Sequence, residues 1–305
     1  IAAADGRIYV ADSGHNRILM LSSRGHVLRQ YGSEAAGFID GNGTGAAFNS
    51  PQGMTLADDF LYVADEGNHA IRRIHTRTDD VDTIAGTGKI GQPFSGLCDT
   101  PLKTGLNSPG DVAFKDGQLY IAMSGSHQIW RLSLVTNTLE VFSGSGREGL
   151  QDGPATTAVF SQPCGLTLLR NRLYAVDAGA SAVREVDAVT GAVSTVVGEG
   201  LFGFGDHDGT GQAARLQYPL DISADPAHEM LWVSDTYNNK IKRIGVSSKF
   251  VSSMSVNRRL DEPGGLVFHN DTLYIANTNA HEIICLNPNN GHAEALNVSE
   301  ELVEI

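Results

Sequence analysis

Short apolar runs, each ended by a polar turn, recur along the whole chain, and none is long enough or periodic enough at 3.6 residues to predict a helix. Aligning the runs gives one pattern six times: an aromatic residue, a small apolar pair, usually an Asp, a polar turn, and a second strand. The copies are Tyr9-Val10-Ala11-Asp12, Tyr62-Val63-Ala64-Asp65, Tyr120-Ile121-Ala122-Met123, Tyr174-Ala175-Val176-Asp177, Trp232-Val233-Ser234-Asp235 and Tyr274-Ile275-Ala276-Asn277. Their spacing runs from 42 residues (Trp232 to Tyr274) to 58 (Tyr62 to Tyr120), the range of propeller blades.

Nine residues after each aromatic stands a β-branched residue, Ile18, Ile71, Ile129, Val183, Ile241 or Ile283. Three further on come Leu21, Ile74, Leu132, Val186, Ile244 and Leu286. An odd spacing puts the two positions on opposite faces of a strand, so both faces must be covered, as they are when each sheet packs between two neighbours. Upstream of the aromatic, five of the copies open with Pro: Pro51, Pro109, Pro163, Pro219 and Pro263. In the first copy Ile1 aligns with Met54, so the chain starts inside its own innermost strand. The pattern predicts an all-β, six-bladed propeller of four-stranded antiparallel blades, over approximately residues 1–32, 51–87, 109–144, 163–198, 219–254 and 263–297. In the second blade the strands are predicted near Gly53–Ala57, Phe60–Asp65, Ala70–His75 and Val81–Ala85. Longer connections such as Gly37 to Pro51, with Asp40-Gly41 and Ala46-Ala47-Phe48, read as a turn followed by one apolar-anchored helical turn. The fifth-to-sixth connection, Ser253–Glu262, lacks that signature and is the segment expected to be most mobile. Val298–Ile305 reads as a tail or the start of a further domain.

Composition narrows the function. The 305 residues carry 22 Lys and Arg against 35 Asp and Glu, a net charge of −13 with no dense basic run, which disfavours phosphate backbones and anionic lipid. Nucleic acid is therefore not an expected partner. Cys98, Cys164 and Cys285 are few, odd in number and unpaired in sequence, so neither a disulfide framework nor a thiolate zinc site is predicted. No apolar stretch is long enough to span a bilayer and the first residues do not form a signal peptide. The chain reads as an excised part of a longer protein, a monomer, with the cytoplasm favoured though the compartment stays open.

Candidate chemistry sits at repeated positions. Asp12, Asp65, Asp177 and Asp235 end the second strand, where a carboxylate can cap turn amides two or three residues on. Recurrence in four blades favours that structural role over catalysis. His69, His127 and His281 share one turn position, with Ser181 and Asn239 as counterparts; they suggest a metal, but in separate blades they are better placed to tie their turn to the adjacent connection. Two residues after the Pro, the innermost strand reads Gly53, Asp111, Gly165, Asp221 and Gly265, so Asp111 and Asp221 are expected at the channel mouth. There they could hold a cation or ligand amine, or cap local amides. Asp206-His207-Asp208-Gly209 has the alternating acids of a calcium loop but lacks its downstream Glu, which favours a plain Gly turn. The third-strand cations Arg72, Arg73, Arg131, Arg184, Lys242 and Arg243 are expected to lay their stems on a blade and extend their charge to solvent.

The six units resemble NHL repeats. The Asp-Gly…Ala-x-Phe-x-x-Pro-x-Gly connections and Gln128-Ile129-Trp130 resemble the propeller of proteins that join a thioredoxin-like domain to NHL repeats. The resemblance covers essentially the whole chain and implies a recognition or scaffolding role, with a thioredoxin-like domain outside it. No redox residue carries over, because none of the three cysteines sits in a paired motif. The expected function is thus a non-catalytic binding propeller that offers Asp111, Asp221, Asp206, His207, Asp208 and His127 to a protein or small ligand at the channel mouth and the acidic inter-blade loops. No cofactor is expected. The alternatives are a lyase or hydrolase with a metal or acidic site at the channel mouth, and a propeller that only positions a redox domain.

Overall fold

The computed structural model describes residues 1–91 and 96–299, so of the proposed tail only 298 and 299 lie within the described residues. Six separate antiparallel sheets follow one another along the chain, each built on four consecutive strands paired in sequence order. The first blade is Ala2–Ala4, Arg7–Asp12, Arg17–Ser22 and Val27–Tyr31. The second is Pro51–Ala57, Phe60–Asp65, Ala70–His75 and Asp80–Gly86. The third is Pro109–Lys115, Gln118–Met123, Gln128–Ser133 and Thr138–Ser143, and the fourth is Pro163–Leu169, Arg172–Asp177, Ala182–Asp187 and Val193–Val197. The fifth is Ile222–Asp225, Met230–Asp235, Lys240–Gly245 and Phe250–Ser253. The sixth is Pro263–His269, Thr272–Asn277, Glu282–Leu286 and Ala293–Leu296. The fold class is an all-β six-bladed propeller.

The second, third and fifth blades carry a fifth, outermost strand, supplied by the connection that precedes the blade: Gly41–Asn42, Leu97–Cys98 and Gly209–Thr210. These two-residue additions cover outer edges that would otherwise present unpaired amides. The helical turn expected in the connections is a short 3₁₀ turn, Gly43–Gly45 or Gly211–Ala213, with no buried residue. The anchoring is done by the extended residues after it, Ala46, Ala47 and Phe48, all buried.

The chain divides into two compact units. One holds Ile1–Ser126, Trp130–Val141 and the segment from Asn297; the other holds His127–Ile129 and Phe142–Leu296. In the first unit Tyr62, Ile71, Val112, Leu119, Ile121, Trp130 and Leu132 form one apolar cluster, and Tyr9, Ile18, Phe48, Leu61, Val63 and Ile74 another. In the second unit Tyr174, Val183, Ile222, Val233 and Ile244 are joined in one cluster, and Trp232, Ile241, Leu266, Ile275 and Ile284 in another. The two apolar positions of each third strand are both buried, as a sheet covered on both faces requires. The segment expected to be mobile is tied down: Met254 N donates to Ile241 O, Asn257 N to Gly291 O, and Leu260 is buried.

In the second, third, fourth and sixth blades the inner-strand Pro pairs with the residue that ends the second strand: Pro51 with Asp65, Pro109 with Met123, Pro163 with Asp177, Pro263 with Asn277. A bulge follows each of these Pro residues. The inter-blade connection and the turn after the second strand therefore meet at the same end of the blade, here termed the loop face.

Candidate functional site: the loop face

The Asp residues that end the second strand do not cap their own turns. They reach back to the connection entering the same blade. Asp65 Oδ1 accepts from Asn49 N at 2.8 Å, Asp177 Oδ1 from Ser161 N at 2.9 Å and Gln162 N at 2.6 Å, and Asp235 Oδ1 from Gln217 N at 2.7 Å. Asn277 does the same for Asp261 N at 2.6 Å. Asp12 differs, accepting from His15 Nδ1 and Arg17 Nε, both at 2.8 Å.

The second carboxylate oxygen meets a buried cation, which corrects the expectation that the third-strand cations extend to water. Arg72, Arg184 and Lys242 are each 0% exposed. Arg72 Nη1 donates to Asp65 Oδ2 at 2.8 Å and to Ala47 O, while its Nη2 donates to Asp40 Oδ1 at 2.9 Å and to Ile39 O. Arg184 repeats this with Asp177, Val159 O, Gln151 O and Asp152. In the fifth blade Lys242 Nζ takes Asp206 Oδ1 at 2.7 Å, Asp208 Oδ1 at 2.8 Å and Ser253 Oγ at 2.9 Å, and stands 4.0 Å from Asp235. Arg73, Arg131 and Arg243 occupy the other, more exposed register and pair with Asp82, Glu140 and Ser252.

The Asp-Gly signature of the connections thus exists to clamp a cation. The Asp208 carboxylate is engaged by Lys242 Nζ and Ser253: burial alone would raise its carboxyl, but these partners outweigh burial and hold it down to about 2. Asp206, which also takes Lys240, is lowered by the two lysines against the same opposing burial. His207 pairs through its backbone with Arg215 and leaves its ring exposed. The loop face is consequently less acidic than the net charge suggests. Burial pushes Asp65 and Asp177 up despite their partners, and Asp235, whose lysine is 4.0 Å away, up to about 6.

A second recurring tie links one blade to the next. The turn after each second strand is a 3₁₀ turn followed by a residue in the left-handed region, φ 47–56°: Asn16, His69, His127, Ser181, Asn239 and His281. His69 Nδ1 accepts from Ser108 N at 3.0 Å; Asn16, Ser181 and Asn239 accept from Ser50 N, Tyr218 N and Glu262 N. His127 Nδ1 instead donates to Ser161 O. Burial lowers the His69 ring below its ordinary value, consistent with a neutral acceptor. His281 is exposed.

Asp111 and Asp221 are engaged by backbone. Asp111 Oδ1 accepts from Val112 N at 2.8 Å and lies against Gly53, where a Cβ would come within 1.9 Å of it. Asp221 Oδ1 accepts from Ile222 N at 2.8 Å and Oδ2 from Leu266 N at 2.7 Å, beside Gly165. Burial raises Asp221 to about 6. The Gly–Asp alternation along the inner strands is therefore steric: each Asp needs the adjacent blade to lack a side chain. Among the described residues no group of three His, Cys, Asp or Glu is set to hold a metal ion, and no helix is long and apolar enough to cross a membrane.

What the sequence reading missed is apolar. On the loop face of the fifth blade Phe202 is 92% exposed, with Leu201, Phe204 and Tyr237 also exposed. The signal was present as a Leu-Phe-Gly-Phe run inside a connection.

The NHL repeat profile matches residues 48–74 and 106–132. The chain is 36% identical over 321 residues to NHL repeat-containing protein 2 of Gallus gallus, covering 91% of this chain and 44% of that protein. It is similar in fold to a chain of a nidogen/laminin complex, with TM-score 0.65, 13% identity, and 95% and 92% of the two chains covered. It is also similar to a streptogramin B lyase, with TM-score 0.55, 14% identity, and 82% and 70% covered. The chain spans less than half the length of the curated relatives it matches. With the repeat profile and the six antiparallel blades in agreement, the chain is an NHL-repeat β-propeller.

Proposed function

We propose that this propeller is a non-catalytic binding scaffold, whose loop face recognises a partner through the tips of its inter-blade connections. One observation carries the reading: the repeated polar residues pin both ends of the connections and leave the tips free to vary. In the first connection Asn49 N is held by Asp65, Ala47 O by Arg72 and Gly37 O by Asn68, while Ala35 and Ala36 stay exposed. The fourth connection is held in the same way by Asp235, Lys242 and Asn238. A rigid frame that presents variable tips binds without a large ordering cost. The lyase reading needs free carboxylates at the inner strands, and both Asp111 and Asp221 accept backbone hydrogen bonds instead. In a longer protein the same frame could hold a neighbouring domain, a thioredoxin-like one by resemblance.

The test is cross-linking mass spectrometry on the full-length protein in its own cells. Tips 33–36, 145–148 and 199–204 are replaced by Gly-Ser of equal length, against a control in which Val135 and Val189 on the opposite turns become Ser. Loss of the cross-linked partners only in the tip variants, with the thermal midpoint kept, is expected. Partners lost only in the control would overturn the reading.

A further inference from the structure

The six repeats are each other's controls, and the fifth blade departs from them in three places on the loop face. The first is the preceding connection. Gly32, Gly144 and Gly198 share φ of 104–108°, and the amides of Gly37, Gly149 and Gly205 donate to Phe48 O, Phe160 O and Leu216 O. Between these anchors stand four residues in the first and third connections, Ser33-Glu34-Ala35-Ala36 and Ser145-Gly146-Arg147-Glu148. The fourth has six, Glu199-Gly200-Leu201-Phe202-Gly203-Phe204. The extra length is apolar, and the fold spends no packing on it, since Phe202 is 92% exposed and Phe204 56%. A tight turn, Gly203 N to Gly200 O at 2.9 Å, sets the tip.

The second departure is Tyr237. The matching residue is Gly14, Gly67, Gly125 and Gly179 in the first four blades and Asn279 in the sixth. At Gly67, Gly125 and Gly179 a Cβ would come within 2.7 Å of Asn49, Asn107 and Ser161 of the connection, so a side chain there must displace them, and the fifth blade has opened that space for a phenol. The third is Tyr218, which stands where the second and third blades have Ser50 and Ser108. Its ring stacks on Tyr237 with centroids 4.8 Å apart and planes 16° from parallel, and its hydroxyl donates to Gln162 Oε1 at 2.8 Å. The Phe204–Gly205 segment runs alongside, because Asn238 Nδ2 donates to Gly205 O at 2.7 Å.

We infer that Leu201, Phe202, Phe204 and the Tyr218–Tyr237 stack form a recognition site for an uncharged, extended segment of another protein carrying proline or aromatic side chains. The inference rests on the loop-face reading above and names its site and partner. Charge argues for the partner's chemistry: Glu199 is paired with Arg215, Asp206 with Lys240 and Lys242, and Asp208 with Lys242. The surroundings of the patch are thus self-compensated in a protein of net charge −13, and a charged segment gains no attraction there. Aromatic faces already fixed by stacking lose little entropy on binding and suit flat apolar groups, the proline of a preformed extended helix above all.

The probe is a displayed library of random twelve-residue peptides, selected on the purified chain and measured on it and on Phe202→Ser/Tyr237→Gly. That variant restores the glycine native to four blades and is checked by thermal melting. Enrichment of uncharged, proline- or aromatic-bearing peptides whose Kd rises at least tenfold in the variant is expected. Enriched peptides that bind both proteins equally but fail on a chain with tip 33–36 replaced would overturn this site and leave the loop-face reading standing. Enrichment of charged peptides would overturn the partner chemistry. Self-association in sedimentation that the variant abolishes would make a second copy the occupant and overturn the peptide. Failure to enrich anything would overturn both readings.

Discussion

Replacing Arg72 by Leu tests the cation clamp most sharply. The wild-type guanidinium is fully buried, makes two charge-assisted bonds to Asp65 and Asp40 and two to the carbonyls of Ala47 and Ile39, and lies 4.9 Å from the centre of the Phe48 ring. Its Nε finds no acceptor, which lowers the net worth of the pair. Removing the cation leaves the buried Asp65 carboxylate with Asn49 N and Asn68 only. Stranding one member of a buried pair costs about 3–5 kcal/mol, or roughly 10 °C in a chain of this size. The third blade shows the apolar alternative, with Met123 and Trp130 at the two positions, both buried. Asp65→Met with Arg72→Leu should therefore recover roughly half of the loss, because the buried charge is gone while the carbonyls remain unpaired. Urea denaturation of the three proteins measures this. A single variant within 1 kcal/mol of wild type (roughly the scale of a surface substitution), or a double variant worse than the single, would refute the clamp.

Acid should at first strengthen the fold. Asp235 titrates near 6 when folded against 3.8 unfolded, so the folded state binds the proton more tightly and stability gains as pH falls from about 7 to 4. Asp235→Asn, the residue found at this place in the sixth blade, should remove its share of that gain, about 1–3 kcal/mol, in urea midpoints compared at pH 7.5 and 5. Gly53→Ala should lose roughly 3 kcal/mol or more in the same assay. Asp111→Ala should not rescue it, since the new Cβ would also meet the Asp111 Cα at 2.6 Å. His69→Ala should cost about 1 kcal/mol and His69→Asn much less, because Asn16 and Asn239 already accept the equivalent amide from the same left-handed backbone. Thermal melts of the two His69 variants give the comparison.

The strands were legible because each is an apolar run between Gly- and Asp-rich turns, and the second blade's predicted limits fall within two residues of those observed. The added outer strands were not, since Gly41–Asn42 and Gly209–Thr210 have no apolar content and are held by backbone pairing, with Asn42 Nδ2 adding bonds to Thr78 O and Asp80. The burial of Arg72, Arg184 and Lys242 escaped a reading of one strand at a time. Comparison across blades carries the signal: where Met123 replaces the Asp, Trp130 replaces the cation, and where Asn277 replaces it, Ile284 does. The same comparison marks Tyr237 against four glycines. Charge drew attention to Asp206 and Asp208, whose charges are spent on lysines, and away from Phe202, which lies only four residues upstream.

On the proposed function the repeated charges build the frame and the connection tips bind. Amide hydrogen exchange of the chain, free and saturated with an enriched peptide, tests it directly. Protection confined to residues 199–205 and 236–238 is predicted; protection at the inner strands around Asp111 or Asp221, with none at the tips, would contradict it.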